Sequence, residues 1–179
     1  MANRNSWPQH SWGGKVCLDR YDIMTGQKTV LVNDPKASDA VVVASDYKIY
    51  LTSYSGCIPG KKGTISIVDA KTNIETHLLD IEIASEDMFI DENDNILIIG
   101  SSDQPDAKSI YLLSAGNYLT PVVLKTGLGR TWCISKCGPY IYFSDHKAIK
   151  RFSDPSGTIE TFVEKSNVNV LQFRIPLLR

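Results

Sequence analysis

Three stretches of the chain are variations on one phrase: "KIYLTS" at 48–53, "NILIIG" at 95–100 and "YIYFSD" at 140–145. Their aligned isoleucines, Ile49, Ile96 and Ile141, lie 47 and 45 residues apart. Each phrase follows a short apolar run and a polar turn: "AVVVASDYKIYL", "DMFIDENDNILI" and "TWCISKCGPYIYF". Each leads into a run, a turn and a run: "GTISIVDAKTNIETHLL", "KSIYLLSAGNYLTPVVL" and "KAIKRFSDPSGTIETFV". Runs of this length, rich in Val, Ile, Tyr and Thr and bounded by Gly, Pro, Asn and Asp, read as strands separated by turns. No long segment carries apolar residues at the i, i+3, i+4, i+7 spacing of a helix face. The chain is therefore expected to be all-β, built from a recurring strand meander.

Runs such as "VVV" and "ILII" are apolar on both sides of the strand, so each meander must be covered on both faces. One meander cannot do that alone, and stacked copies can. A period of about 40–50 residues with four strands per unit is the pattern of β-propeller blades; a β-sandwich or a solenoid is the alternative. The chain opens on the second half of the unit, "GKVCLDRYDIMTGQKTVLV" (14–32), where "DIMTG" stands for "VDAKTN". It closes on "NVNVLQFRI", in the place of the next unit's first strand. The expected organisation is an N-terminal extension over 1–13 and one propeller-like domain over 14–179. Its repeats fall at about 14–33, 38–80, 85–125 and 130–165, with a closing strand at 167–175. That gives about four blades, either closed by the two ends of the chain or forming an incomplete or half propeller.

The stretch "GPYIYFSDHKAIKRFSDPSGTIETF" (138–162) resembles the repeats of the NHL and gluconolactonase-like superfamily, and the earlier units are nearer to YVTN-type propellers. The likeness covers most of 14–165 and is one of repeat grammar, with no active-site motif attached. It implies a propeller fold, although familiar relatives have six or more blades and this chain is short for that.

Charge excludes some partners. With 19 Lys and Arg against 20 Asp and Glu, net charge is −1, and the basic residues are scattered, so no nucleic-acid footprint is present. No window approaches the roughly eighteen apolar residues of a membrane span. The opening "MANRNSWPQHSWGGK" has no apolar core, which points to a cytoplasmic protein unless a leader has been removed. Cys17, Cys57, Cys133 and Cys137 lack the paired knuckles of a zinc site, with only C-x-x-x-C in "CISKC". Free or buried thiols are expected, and no cofactor.

In a blade, the loop leading into the innermost strand and the loop leaving the second strand share one face around the central channel. Those positions place Asp39, Glu86, Asp87 and Arg130 at a mouth, with Ser102, Asp145 and His146 further out and Trp132 at the start of an innermost strand. Mixed charge there suits a protein segment or a small polar ligand held by a non-catalytic scaffold. The sharper alternative is a metal-dependent lactonase-like hydrolase in which Asp39 and Asp87 hold Ca²⁺ or Zn²⁺; Arg130, a cation where a third ligand is wanted, opposes it. A third reading is a propeller fragment that assembles through its blade edges, as a homodimer. The plainer account of the acids is that they are solvated or cap turns.

Other constellations carry less. "SDH" at 144–146 cannot form a triad, because adjacent residues on an extended chain point in opposite directions. "DENDN" at 91–95 lacks the glycine and distal glutamate of a calcium loop and reads as a hairpin turn. "TGLGR" at 126–130 is no phosphate loop, and His77 reads as surface. Trp7 and Trp12, outside the repeat, either stack on a partner or fold back over the domain.

Overall fold

A computed structural model describes residues 17–33, 35, 40–43, 47–52, 63–81, 83–101, 108–145, 147–153 and 157–164. The N-terminal extension with Trp7 and Trp12, and the closing strand at 167–175, lie outside the described residues. The described chain is all strand and turn, in one two-stranded and three four-stranded antiparallel sheets. The first sheet pairs β1 (Cys17–Tyr21) with β2 (Lys28–Asn33). The second runs β3 (Ala40–Val43), β4 (Lys48–Thr52), β5 (Gly63–Asp69) and β6 (Ile74–Ile81). The third is β7 (Ala84–Ile90), β8 (Ile96–Ser101), β9 (Ser109–Ser114) and β10 (Asn117–Lys125). The fourth is β11 (Thr131–Cys137), β12 (Tyr140–Asp145), β13 (Ala148–Ser153) and β14 (Glu160–Glu164). Within each sheet every strand pairs with its sequence neighbour, so each repeat is a simple meander.

Turn chemistry confirms the repeat at atomic detail. In the β1–β2 turn the Asp22 carboxylate accepts the N–H groups of Met24 and Thr25 at 2.8 and 3.0 Å. In the β5–β6 turn Asp69 does the same for Lys71 and Thr72 at 2.7 and 3.1 Å. Each turn ends on a left-handed residue, Gly26 at φ 71° and Asn73 at φ 58°, the two residue types that tolerate that conformation best. "DIMTG" and "DAKTN" are thus one turn used twice.

The faces of the sheets follow the strand alternation. In β4, Ile49 and Leu51 pack on Leu18 and Leu31 of the first sheet, while Tyr50 faces the third. In β8, Ile96 and Ile98 face the second sheet and Leu97 and Ile99 face the fourth. In β12, Ile141 and Phe143 turn back to the third sheet. β4 and β8 therefore give alternate side chains to the sheets before and after them, which is why their central residues are apolar on both sides. The leading strand β7 lies beside both β3 and β11, the leading strands of the sheets before and after it. Cys17, Cys133 and Cys137 form no disulfide, and Cys137 is the last residue of β11; Cys57 lies outside the described residues.

Candidate binding mouth

The ends of the leading strands are built on bulges. The β7–β8 register shifts between Ser85 and Asp87, so that Glu86 is the extra residue; in the β11–β12 pair Trp132 holds the same place between Thr131 and Cys133. A bulge re-aims its extra side chain, and both side chains reach one lysine. Lys108, just before β9, is 3% exposed. Its ammonium lies 2.9 Å from Glu86 Oε1, donates to the Thr131 carbonyl at 2.8 Å, and sits 4.3 Å above the centre of the Trp132 ring. Two oxygens and an aromatic face account for its three donors.

"TGLGR" wraps this cluster. Gly127 and Gly129 take φ 67° and 65°, folding the β10–β11 connection so that the Leu128 N–H donates to the Lys108 carbonyl at 3.0 Å. Arg130 follows, exposed, next to Thr131 in the chain. The candidate site thus combines a buried ammonium, a partly exposed Glu86 carboxylate and the Trp132 indole, with the exposed Arg130 two positions before Trp132 in the chain.

Other singled-out residues have different places. Asp87 is 2% exposed and accepts the Ile134 N–H at 3.1 Å, reaching from the third sheet to the fourth. Asp145 turns the chain from β12 to β13: Oδ1 accepts the Lys147 and Ala148 N–H groups at 2.7 and 2.8 Å, and Oδ2 pairs with Lys150 at 2.6 Å. Burial alone would raise its carboxyl, but Lys150 and the two N–H donors outweigh that and hold it below the ordinary 3.8. Asp39, Ser102 and His146 lie outside the described residues. His77, on β6, is exposed and 2.9 Å from Asp80. Among the described residues no three His, Cys, Asp or Glu side chains converge as a metal-binding set.

Sequence reasoning placed Glu86, Arg130 and Trp132 at this face but passed over Lys108, the residue that joins two of them. The available signal was position: Lys108 ends the loop that follows β8, and that loop was already assigned to the mouth.

The stacked antiparallel meanders define a β-propeller-like fold. No family model matches the chain, and no curated protein matches it in sequence. Its fold is similar to a nidogen/laminin complex structure, with TM-score 0.65 and 13% identity over 82% of this chain and 55% of that one. It is also similar to TolB from Acinetobacter baumannii, with TM-score 0.59 and 16% identity over 86% of this chain and 39% of that one. A Bacteroides uniformis protein named as a candidate 6-phosphogluconolactonase gives TM-score 0.57 and 14% identity over 84% of this chain and 50% of that one. The chain spans 39% to 55% of the length of these proteins. At such identities the likeness is one of fold.

Proposed function

We propose that the protein is a non-catalytic propeller-type scaffold, akin to the NHL and gluconolactonase-like repeats, that holds a protein segment or a small polar ligand at the mouth. The carrying observation is the Glu86–Lys108–Trp132 cluster, in which a buried ammonium fixes a carboxylate and an indole ring beside Arg130. Such a surface offers an acceptor, a donor and a flat aromatic face in fixed positions, which suits a partner carrying both charges. A nidogen/laminin complex among the similar folds supports a protein partner.

The test is an NMR titration of the whole chain with tripeptides carrying one acidic and one basic residue. Expected are shifts at Glu86, Lys108 and Arg130 to Trp132, weakened about tenfold by Glu86→Gln, the loss of one charged contact. Shifts confined to another surface, or none with any peptide, overturn the reading. The hydrolase alternative draws its support from the fold of the candidate lactonase and requires Asp87 to leave the Ile134 N–H for a metal. Lactone hydrolysis that disappears in chelator would establish it instead.

A further inference from the structure

The fourth sheet has one face packed on the third and one that turns away from it. Ile141, Phe143 and Phe152 face the third sheet, so alternation turns Tyr142 and Ser144 outward, with Arg151 paired beside Tyr142. The corresponding residues of the second sheet, Tyr50 and Thr52, meet the sheet that follows: Tyr50 joins its core, and the Thr52 hydroxyl lies 2.5 Å from that of Ser85 on β7. Ser144 is the Thr52 of the fourth sheet. It is fully buried, yet its hydroxyl has no hydrogen-bond partner among the described residues. Cys133 and Ser135, on the same face of β11, are equally buried, while the main strand neighbours of β11 from other sheets, β7 and β8, belong to the third sheet.

We propose that this face seats the leading strand of a further blade, supplied by residues 167–175 of the same chain, with Asn167 beside the Ser144 hydroxyl. The exit of the chain favours that occupant. β14 ends at Glu164 opposite Ala148, the first residue of β13, and so at the mouth end of the sheet. β6 ends at Ile81 opposite Gly63, and β10 at Lys125 opposite Ile110, at the same end. From both, a short connection crosses to the next leading strand. The side-chain spacing agrees as well. Ser85 is followed three residues later by Met88, and Thr131 by Ile134, each packed on the preceding sheet. Asn167 is followed at the same spacing by Val170. The connection over 165–166 would then border the mouth as the segments carrying Glu86 and Arg130 do.

The test places cysteines at the paired positions, Ser144→Cys with Asn167→Cys, in a Cys133→Ser background because Cys133 pairs directly with Ser144. Thr52→Cys with Ser85→Cys is the control for a seated pair. After mild oxidation and peptide mapping, the expected result is an intrachain 144–167 link in a 19.9 kDa monomer, formed as readily as the control. A link between chains, which means that a second copy takes the seat, overturns the proposal, and so does a control link without the 144–167 one. Hydrogen exchange on the unmodified chain decides independently of how the variants fold. Amides of 168–172 are expected to exchange at least ~100-fold more slowly than in an unstructured peptide, and exchange at the unstructured rate overturns it.

Discussion

Asp91 shows how one side chain serves both a turn and an interface. Its carboxylate accepts the N–H groups of Asn93 and Asn95 at 2.9 and 3.0 Å and the Asn95 amide at 3.1 Å, closing the turn of "DENDN". It also takes the Lys136 ammonium at 2.7 Å, from the next sheet. Burial would raise its carboxyl, but Lys136 and the asparagine donors prevail and hold it below 3.8. A depressed aspartate contributes stability above its unfolded value and loses it as pH falls through the folded one. Acid denaturation below about pH 3.8 should therefore be less steep in Asp91→Asn than in the parent, as followed by circular dichroism. Asp91→Ala removes the acceptor altogether and leaves Lys136 unpaired, an expected cost of about 2–4 kcal/mol in urea unfolding. At the mouth, Lys108→Ala strands the Glu86 carboxylate and is expected to cost about 3–5 kcal/mol. The double variant with Glu86→Ala should cost less than the two single changes added together, as a double-mutant cycle would read.

Strands and their pairings carry a second set of constraints. Gly100 lies opposite Ser85 where β7 and β8 meet. A Cβ there would come within 2.4 Å of the Ala84 carbonyl oxygen and 2.7 Å of Ile83 Cγ2. Because the first of these is backbone, the ladder itself must move. Gly100→Ala is expected to destabilise by about 1–3 kcal/mol and to disturb the adjoining bulge that aims Glu86, so its amide shifts should extend to Lys108. The core of β8 responds differently. Ile98 is fully buried between two sheets, and Ile98→Ala should cost about 2–5 kcal/mol by chemical denaturation.

Across the whole molecule, stability follows how many faces are covered. The third sheet is packed on both sides, and Ile96 to Ile99 are at most 2% exposed. β14 at the outer edge of the fourth sheet is exposed along its whole length. Hydrogen exchange should therefore be slowest in β8 and fastest in β14 and the β1–β2 turn, where Ile23 and Met24 are 76% and 89% exposed. Uniform rates across the sheets would mean that the stack opens as one unit.

The strands, their order within each meander and the burial of both faces of β8 could be read from the residues, because period-two alternation and Asp-, Asn- and Gly-based turns are set by near neighbours in the chain. The same local logic identified "DENDN" as a turn and singled out Glu86 and Trp132, which the fold joins through one lysine. It could not show that Asp87 spends its carboxylate on the Ile134 N–H, or that Lys108 lies between Glu86 and Trp132. Those contacts join residues 22 to 47 positions apart, two of the three between the third sheet and the fourth. They exist only once bulges, loop folding and the stacking of one sheet on the next have fixed the distances between them.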